Sequence, residues 1–149
     1  MKNVRRLDVN DLEIIQELIK VFQVTDGVQH PKYASKERLQ HLLLDPNFYA
    51  IAAFYNKKMI GGLTAYSLAM YKEDMQKVLL YEIEVLENHR RNGFGTSLIN
   101  KLKEIALKDG ATKILIPVSD SNTNAIKFYH SIQQRGHSEN IMISLSLQE

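Results

Sequence analysis

The sequence predicts a mixed α/β domain, of the α+β kind, with a mostly antiparallel sheet flanked by about four helices. Three observations predict it. Two β-rich runs, Phe48 to Phe54 and Met59 to Tyr71, are joined by the polar turn Asn56-Lys57-Lys58, which makes a hairpin. A later run, Val78 to Val85, is followed by a glycine turn, a segment of helical period and another β-rich run, so the crossover forces those two strands parallel. Near the end, Ile141, Ile143, Leu145 and Leu147 alternate strictly with Met142, Ser144, Ser146 and Gln148, the pattern of a half-buried strand.

In chain order, Val4 to Val9 reads as a short strand. Asn10 is then a candidate N-cap, with Glu13 at N3 and Val9 stapled to Ile14. Leu12, Ile15, Leu18, Ile19 and Phe22 form the buried stripe of this first helix, which fades near Thr25-Asp26-Gly27. Ser35 caps a second helix whose Leu39, Leu42 and Leu43 face inward, and Asp45-Pro46 ends it. The hairpin strands follow, then the charged turn Lys72 to Lys77 and the strand Val78 to Val85. A third helix opens at Phe94 and buries Leu98, Leu102 and Ile105, with Asp109-Gly110 as its stop. Thr112 to Val118 is a strand broken by Pro117. Asn122 caps a short fourth helix carrying Ala125, Ile126, Phe128, Tyr129 and Ile132, and Gly136 follows it.

Length and composition narrow the function. The 149 residues make one domain, 1–149, large enough to bury a core. With 19 basic against 17 acidic residues, nothing demands a polyanion, and no nucleic-acid partner is expected. The absence of cysteine removes disulfides, thiolate metal sites and a cysteine nucleophile together. His30, His41, His89, His130 and His137 show no ligand spacing, so no metal is expected. No segment has membrane-spanning length and the first residues lack an apolar signal run, so a cytoplasmic location without a membrane partner is the default expectation.

The informative stretch is Arg90-Arg91-Asn92-Gly93-Phe94-Gly95-Thr96-Ser97. The helix it opens has no acidic residue in its first turn, so its N–H groups and dipole are available to an anion. Glycines let phosphate oxygens approach the backbone, and two arginines add charge. A pyrophosphate suits such a turn. Gly95 is followed by Thr96-Ser97 without a lysine, unlike an NTPase loop, and Leu98 stands where a dinucleotide fingerprint wants its third glycine.

Here the chain resembles the GCN5-related N-acetyltransferase (GNAT) family, whose acetyl-CoA motif is Arg/Gln-x-x-Gly-x-Gly/Ala. Arg90, Gly93 and Gly95 occupy its three fixed positions. A second signature, Asn-x-x-Ala-x-x-x-Tyr, is matched by Asn122, Ala125 and Tyr129 in the right order along the chain. The resemblance implies a six- to seven-stranded sheet, acetyl-CoA as cosubstrate, and a site for it made by Ile83, Val85, the turn from Arg90 to Ser97, Asn122 and Tyr129. It places pantetheine on backbone groups around Ile83 and Val85, and it makes Tyr129 the acid that protonates the departing thiolate, a role that suits a phenol. The segment between the first two helices is implied to shape the acceptor side.

Glu82 and Glu84 are the candidate bases, two carboxylates sharing one face if the strand is regular. In so apolar a run they are costly unless they meet solvent, a cation or a substrate amine, and Glu82 is favoured. With no cysteine to carry an acyl group, transfer is expected to be direct, in a ternary complex. Within the family the chain is most similar to small aminoglycoside 3-N-acetyltransferases, from about Phe48 to Ser131, through Leu80-Tyr81-Glu82-Ile83, His89-Arg90-Arg91 and Ala125-Ile126-Lys127-Phe128-Tyr129. It departs from them at Glu84 and at Ser131-Ile132-Gln133-Gln134. Glu73, Asp74, Glu82, Glu84, Asp120 and Glu139 are the candidates for an acidic cleft that a polycation would need. A polyamine, an amino acid or a protein N-terminus is the alternative acceptor, and a non-catalytic CoA-binding module the alternative function. A homodimer stays open.

Overall fold

The computed structural model describes residues 1–132 and 138–148. The expected Gly136, together with Gln133, Gln134 and His137, lies outside them. The elements are β1 (Lys2–Arg6), α1 (Leu12–Thr25), α2 (Lys36–Leu44), β2 (Phe48–Tyr55), β3 (Lys58–Ala69), β4 (Gln76–Val85), α3 (Phe94–Lys108), β5 (Ala111–Leu115) and α4 (Thr123–Ser131), with a 3-10 turn at Glu87–His89. They fall into two compact units, Met1–Ile116 and Pro117–Glu149.

The first unit is a five-stranded sheet in the order β1-β2-β3-β4-β5, antiparallel except for the β4–β5 pair. The hairpin turns on Asn56 and Lys57, both at positive φ (49° and 68°), the backbone that matches strand twist in a two-residue turn. Phe48, Ala50 and Ala52 of β2 join Leu7, Ile15 and Leu39 in one core cluster on the α1–α2 side. The alternate residues Tyr49, Ile51 and Ala53 are fully buried too, so β2 is covered on both faces and reads as a continuous apolar run. The buried stripe of α3 is Phe94, Leu98, Ile99, Leu102 and Ala106. Tyr49 donates its hydroxyl to Asp109 Oδ2 at 2.6 Å, tying β2 to the end of this helix.

Local expectations hold at several ends. Ser35 Oγ accepts from Arg38 N–H at 3.1 Å, Asn122 Oδ1 accepts from Ala125 N–H at 3.1 Å, and Gly110 stands at φ 82° after α3. The cap of α1 differs: it is Asp11, not Asn10, and its carboxylate does not cap. Asp11 instead accepts from Nη1 and Nη2 of Arg5 at 2.8 Å each and from the Asp8 N–H at 2.8 Å. The bidentate pair with Arg5 and the Asp8 N–H together occupy the carboxylate that would otherwise cap the first turn of α1.

The sheet has five strands among the described residues, not six to seven. The expected last strand is not formed: Ile141 and Leu147 are 92% and 98% exposed. Alternation states which side chains would share a face, but pairing requires a neighbouring edge that no local pattern specifies.

Candidate active site

The site elements of the first unit gather at the C-terminal end of β4. Its pairing with β5 stops at Leu79 and Leu115, so from Leu80 to Val85 β4 has no strand on that side among the described residues. On its other side β4 pairs with β3 through a bulge: Thr64 faces Glu82 while Ala65 faces Leu80, leaving Tyr81 as the extra residue. The bulge reverses the alternation. Leu80 lies opposite Ala65, on the face of Tyr49, whereas Glu82 and Glu84 lie opposite Thr64 and Gly62. Gly62 faces α1, since a Cβ there would sit 2.8 Å from Leu18 Cδ1. In an unbulged strand both acids would follow Leu80 onto the α3 face.

Glu82 and Glu84 share a face but not an environment. Burial, then the nearby Asp26 carboxylate, pushes the Glu82 carboxyl above its ordinary value. Tyr66 and Tyr81 stand beside it with rings 6.1 Å apart and nearly perpendicular, and burial, with Tyr81 and Glu82, raises the Tyr66 phenol as well. Glu84 by contrast is an ion-pair partner: its Oε1 accepts from Arg90 Nη2 at 2.9 Å. Arg90 Nε donates to the Val85 carbonyl at 2.9 Å, so this guanidinium closes the turn onto the strand that precedes it.

The turn has the backbone an anion site needs. Arg91 and Gly93 take left-handed conformations, φ 61° and 81°, and Gly93 is the N-cap of α3. A glycine cap brings no side-chain oxygen to the first N–H groups, and the first turn carries no acidic residue. Phe94 is buried and anchors the helix start, while Ser97 donates its N–H and hydroxyl to the Gly93 carbonyl at 3.0 and 2.9 Å. These features fit a diphosphate held by backbone amides. Lys2, absent from the sequence-level site, donates to the Asn92 carbonyl and lies 4.8 Å from the Phe94 ring centroid.

Two of the residues expected from the sequence, Asn122 and Tyr129, belong to the second unit. Asn122 caps α4, and Tyr129 lies near its end, half-buried, with its ring 5.3 Å from that of Phe128. His130 and Glu139 are bonded at 2.6 Å. Among the described residues no group of three or more His, Cys, Asp or Glu could hold a metal ion, and no helix is long and apolar enough to cross a membrane.

The profile of the acetyltransferase (GNAT) family matches residues 13–133. The chain belongs to that family. A thialysine N-epsilon-acetyltransferase from Bos taurus is 25% identical over 130 residues, covering 83% of this chain and 75% of the relative. The same enzyme from Mus musculus is 35% identical over 54 residues, and that match spans 36% of this chain and only 32% of the relative. Among solved structures, an aminoglycoside acetyltransferase from an uncultured soil metagenomic sample, in complex with sisomicin, superposes with a TM-score of 0.91. It is 26% identical and covers 99% of this chain and 97% of its own. AAC(6')-Iy, in complex with a CoA-based bisubstrate analogue, shares the fold at a TM-score of 0.80 and 19% identity, covering 98% and 99%. GNAT membership agrees with the expectation of an N-acetyltransferase enzyme and with the mixed, mostly antiparallel fold.

Proposed function

We propose that the 149 residues form one catalytic domain that transfers an acetyl group from acetyl-CoA to a primary amine of a small molecule, with an aminoglycoside as the leading acceptor class. The observation that carries this is the placement, at one strand end, of an acid-free glycine-capped helix start and a half-buried carboxylate, Glu82, which burial raises above its ordinary value. Acetyl-CoA supplies an activated acyl thioester when bound. The turn from Arg90 to Ser97 is suited to bind its diphosphate, and the edge of β4 around Ile83 offers backbone groups unclaimed by β5, beside Val85, whose N–H donates to Glu84 Oε1 at 3.3 Å and whose carbonyl accepts from Arg90 Nε.

Glu82 is the base of this reading. An amine at neutral pH is an ammonium ion, and it must lose a proton before its nitrogen can attack. A carboxyl raised by burial is a better proton acceptor than an ordinary solvated one. Tyr129 is the acid that returns a proton to the thiolate. Glu84, held by Arg90, ties the turn to the end of β4.

Likeness to aminoglycoside acetyltransferases over nearly the whole chain, and the acidic and aromatic group Asp26, Tyr66, Tyr81 and Glu82, support a cationic acceptor. Acetylation at the 3-N position rests on the sequence resemblance. The thialysine enzymes among the relatives favour a second acceptor class, lysine-like amines. A thiol-release assay with acetyl-CoA and a panel of aminoglycosides, polyamines, amino acids and thialysine tests the proposal. Turnover restricted to one class identifies the acceptor, whereas tight acetyl-CoA binding without turnover on any amine would make the chain a CoA-binding module.

A further inference from the structure

A lysine beside the N-terminus of a helix is out of place electrostatically, because the dipole there is positive. Lys2 stands in that position at the start of α3. Two contacts hold it: its Nζ donates to the Asn92 carbonyl and lies 4.8 Å from the Phe94 ring centroid. Around Phe94 the rings of Tyr55 and His89 pack at 6.2 Å each and 5.7 Å from one another, so the aromatic surface under the ammonium is itself braced.

The carbonyl that Lys2 takes lies between two left-handed residues, Arg91 and Gly93. A non-glycine residue in that conformation costs about 1–2 kcal/mol and persists only where its surroundings impose it. Arg90 imposes it from the β4 side, through Glu84 and the Val85 carbonyl. Lys2 imposes it from the other side, from a strand 90 residues away in sequence.

We propose that Lys2 is a positioning residue for the cofactor turn: it holds the Asn92 carbonyl so that the amides from Gly93 onward stay turned outward, and its charge lowers the cost of bringing a dianion to them. This rests on the acetyl-CoA reading above. The cationic crowding at an acid-free helix start is relieved when an anion arrives, so the arrangement stabilises the bound state more than the free one.

The test is calorimetric titration of acetyl-CoA into the full chain as wild type, Lys2→Met, Lys2→Gln and Lys2→Arg. The methionine keeps the aliphatic stem and removes the donor and the charge. Its Kd should rise about tenfold, glutamine should fall between, and arginine should bind within about threefold of wild type. With a responsive amine, KM for acetyl-CoA should rise in parallel while kcat at saturation stays level. Increasing salt should weaken wild type more than Lys2→Met. Lys2→Met binding with the wild-type constant and salt slope would overturn the inference while leaving the acetyl-CoA reading intact. Wild type failing to bind acetyl-CoA would overturn both. Should Lys2→Met melt early, equal affinities for the arginine and glutamine variants would overturn it instead.

Discussion

Arg90 and Glu84 are joined at 2.9 Å across the turn that separates β4 from α3, and the same guanidinium holds the Val85 carbonyl. One of the two candidate bases is thereby given a structural partner. The other, two residues earlier, is raised by burial, and then by Asp26, instead.

Glu84→Gln should therefore cost little in chemistry. The pair is half exposed on the arginine side, so its loss should lower stability by about 0.5 kcal/mol. Turnover should stay within about threefold of wild type. Urea denaturation and steady-state kinetics check the two halves, and a hundredfold loss of kcat would return Glu84 to the list of bases.

Glu82→Gln should do the reverse, lowering kcat/KM about 100-fold at neutral pH. In the wild type, activity should fall as pH drops through the raised Glu82 value, because only the carboxylate accepts a proton. The stability sign is opposite. A carboxyl raised on folding contributes stability that is fully present below its unfolded value, near 4.5, and lost as pH rises through the folded value. At pH 7 the glutamine variant should therefore melt above wild type while being less active. A variant that is less active and also less stable would argue that Glu82 is structural.

Tyr129→Phe should lower kcat about 100-fold and leave the Kd for acetyl-CoA nearly unchanged, since it removes a proton donor and keeps the ring. Single-turnover kinetics beside calorimetry separate the two effects. Unchanged turnover would strip Tyr129 of its role as acid.

Asp11→Asn tests the fold away from the site. Arg5 first, then the Asp8 N–H, holds the Asp11 carboxyl below its ordinary range despite burial. Its contribution is present above the unfolded value and disappears as pH falls through the folded one. The asparagine should cost about 2 kcal/mol at pH 7, with the gap to wild type closing in acid. A gap independent of pH would mean that packing, not charge, stabilises the corner.

Gly61→Ala tests the β3–β4 register. An added Cβ would stand 2.4 Å from the Glu84 carbonyl oxygen, a backbone atom that cannot swing aside. Overpacking of this kind costs about 2 kcal/mol and should shift the β4 end, so acetyl-CoA affinity should drop along with the melting temperature. Wild-type behaviour in both would show that the two strands can part at no cost.

Local chemistry made much of this protein legible in advance. Periodicity placed four helices and the strands through Leu115, Ser35 and Asn122 announced their caps, and Gly93 with no acid after it marked the glycine-capped start of α3, because each depends on residues within one or two turns of chain. What only the tertiary structure decided lies at longer range. The bulge at Tyr81 carries Glu82 and Glu84 to the α1 face, and it exists only as a mismatch with β3. The division of those acids into a carboxyl raised by burial, and then by Asp26, and an ion-pair partner of Arg90 depends on other elements arriving around them. Lys2 reaches the turn because β1 pairs with β2 at the sheet edge. A side chain's neighbours along the chain are set by covalent geometry, but its neighbours across a sheet are set by register. Register is a property of the folded whole.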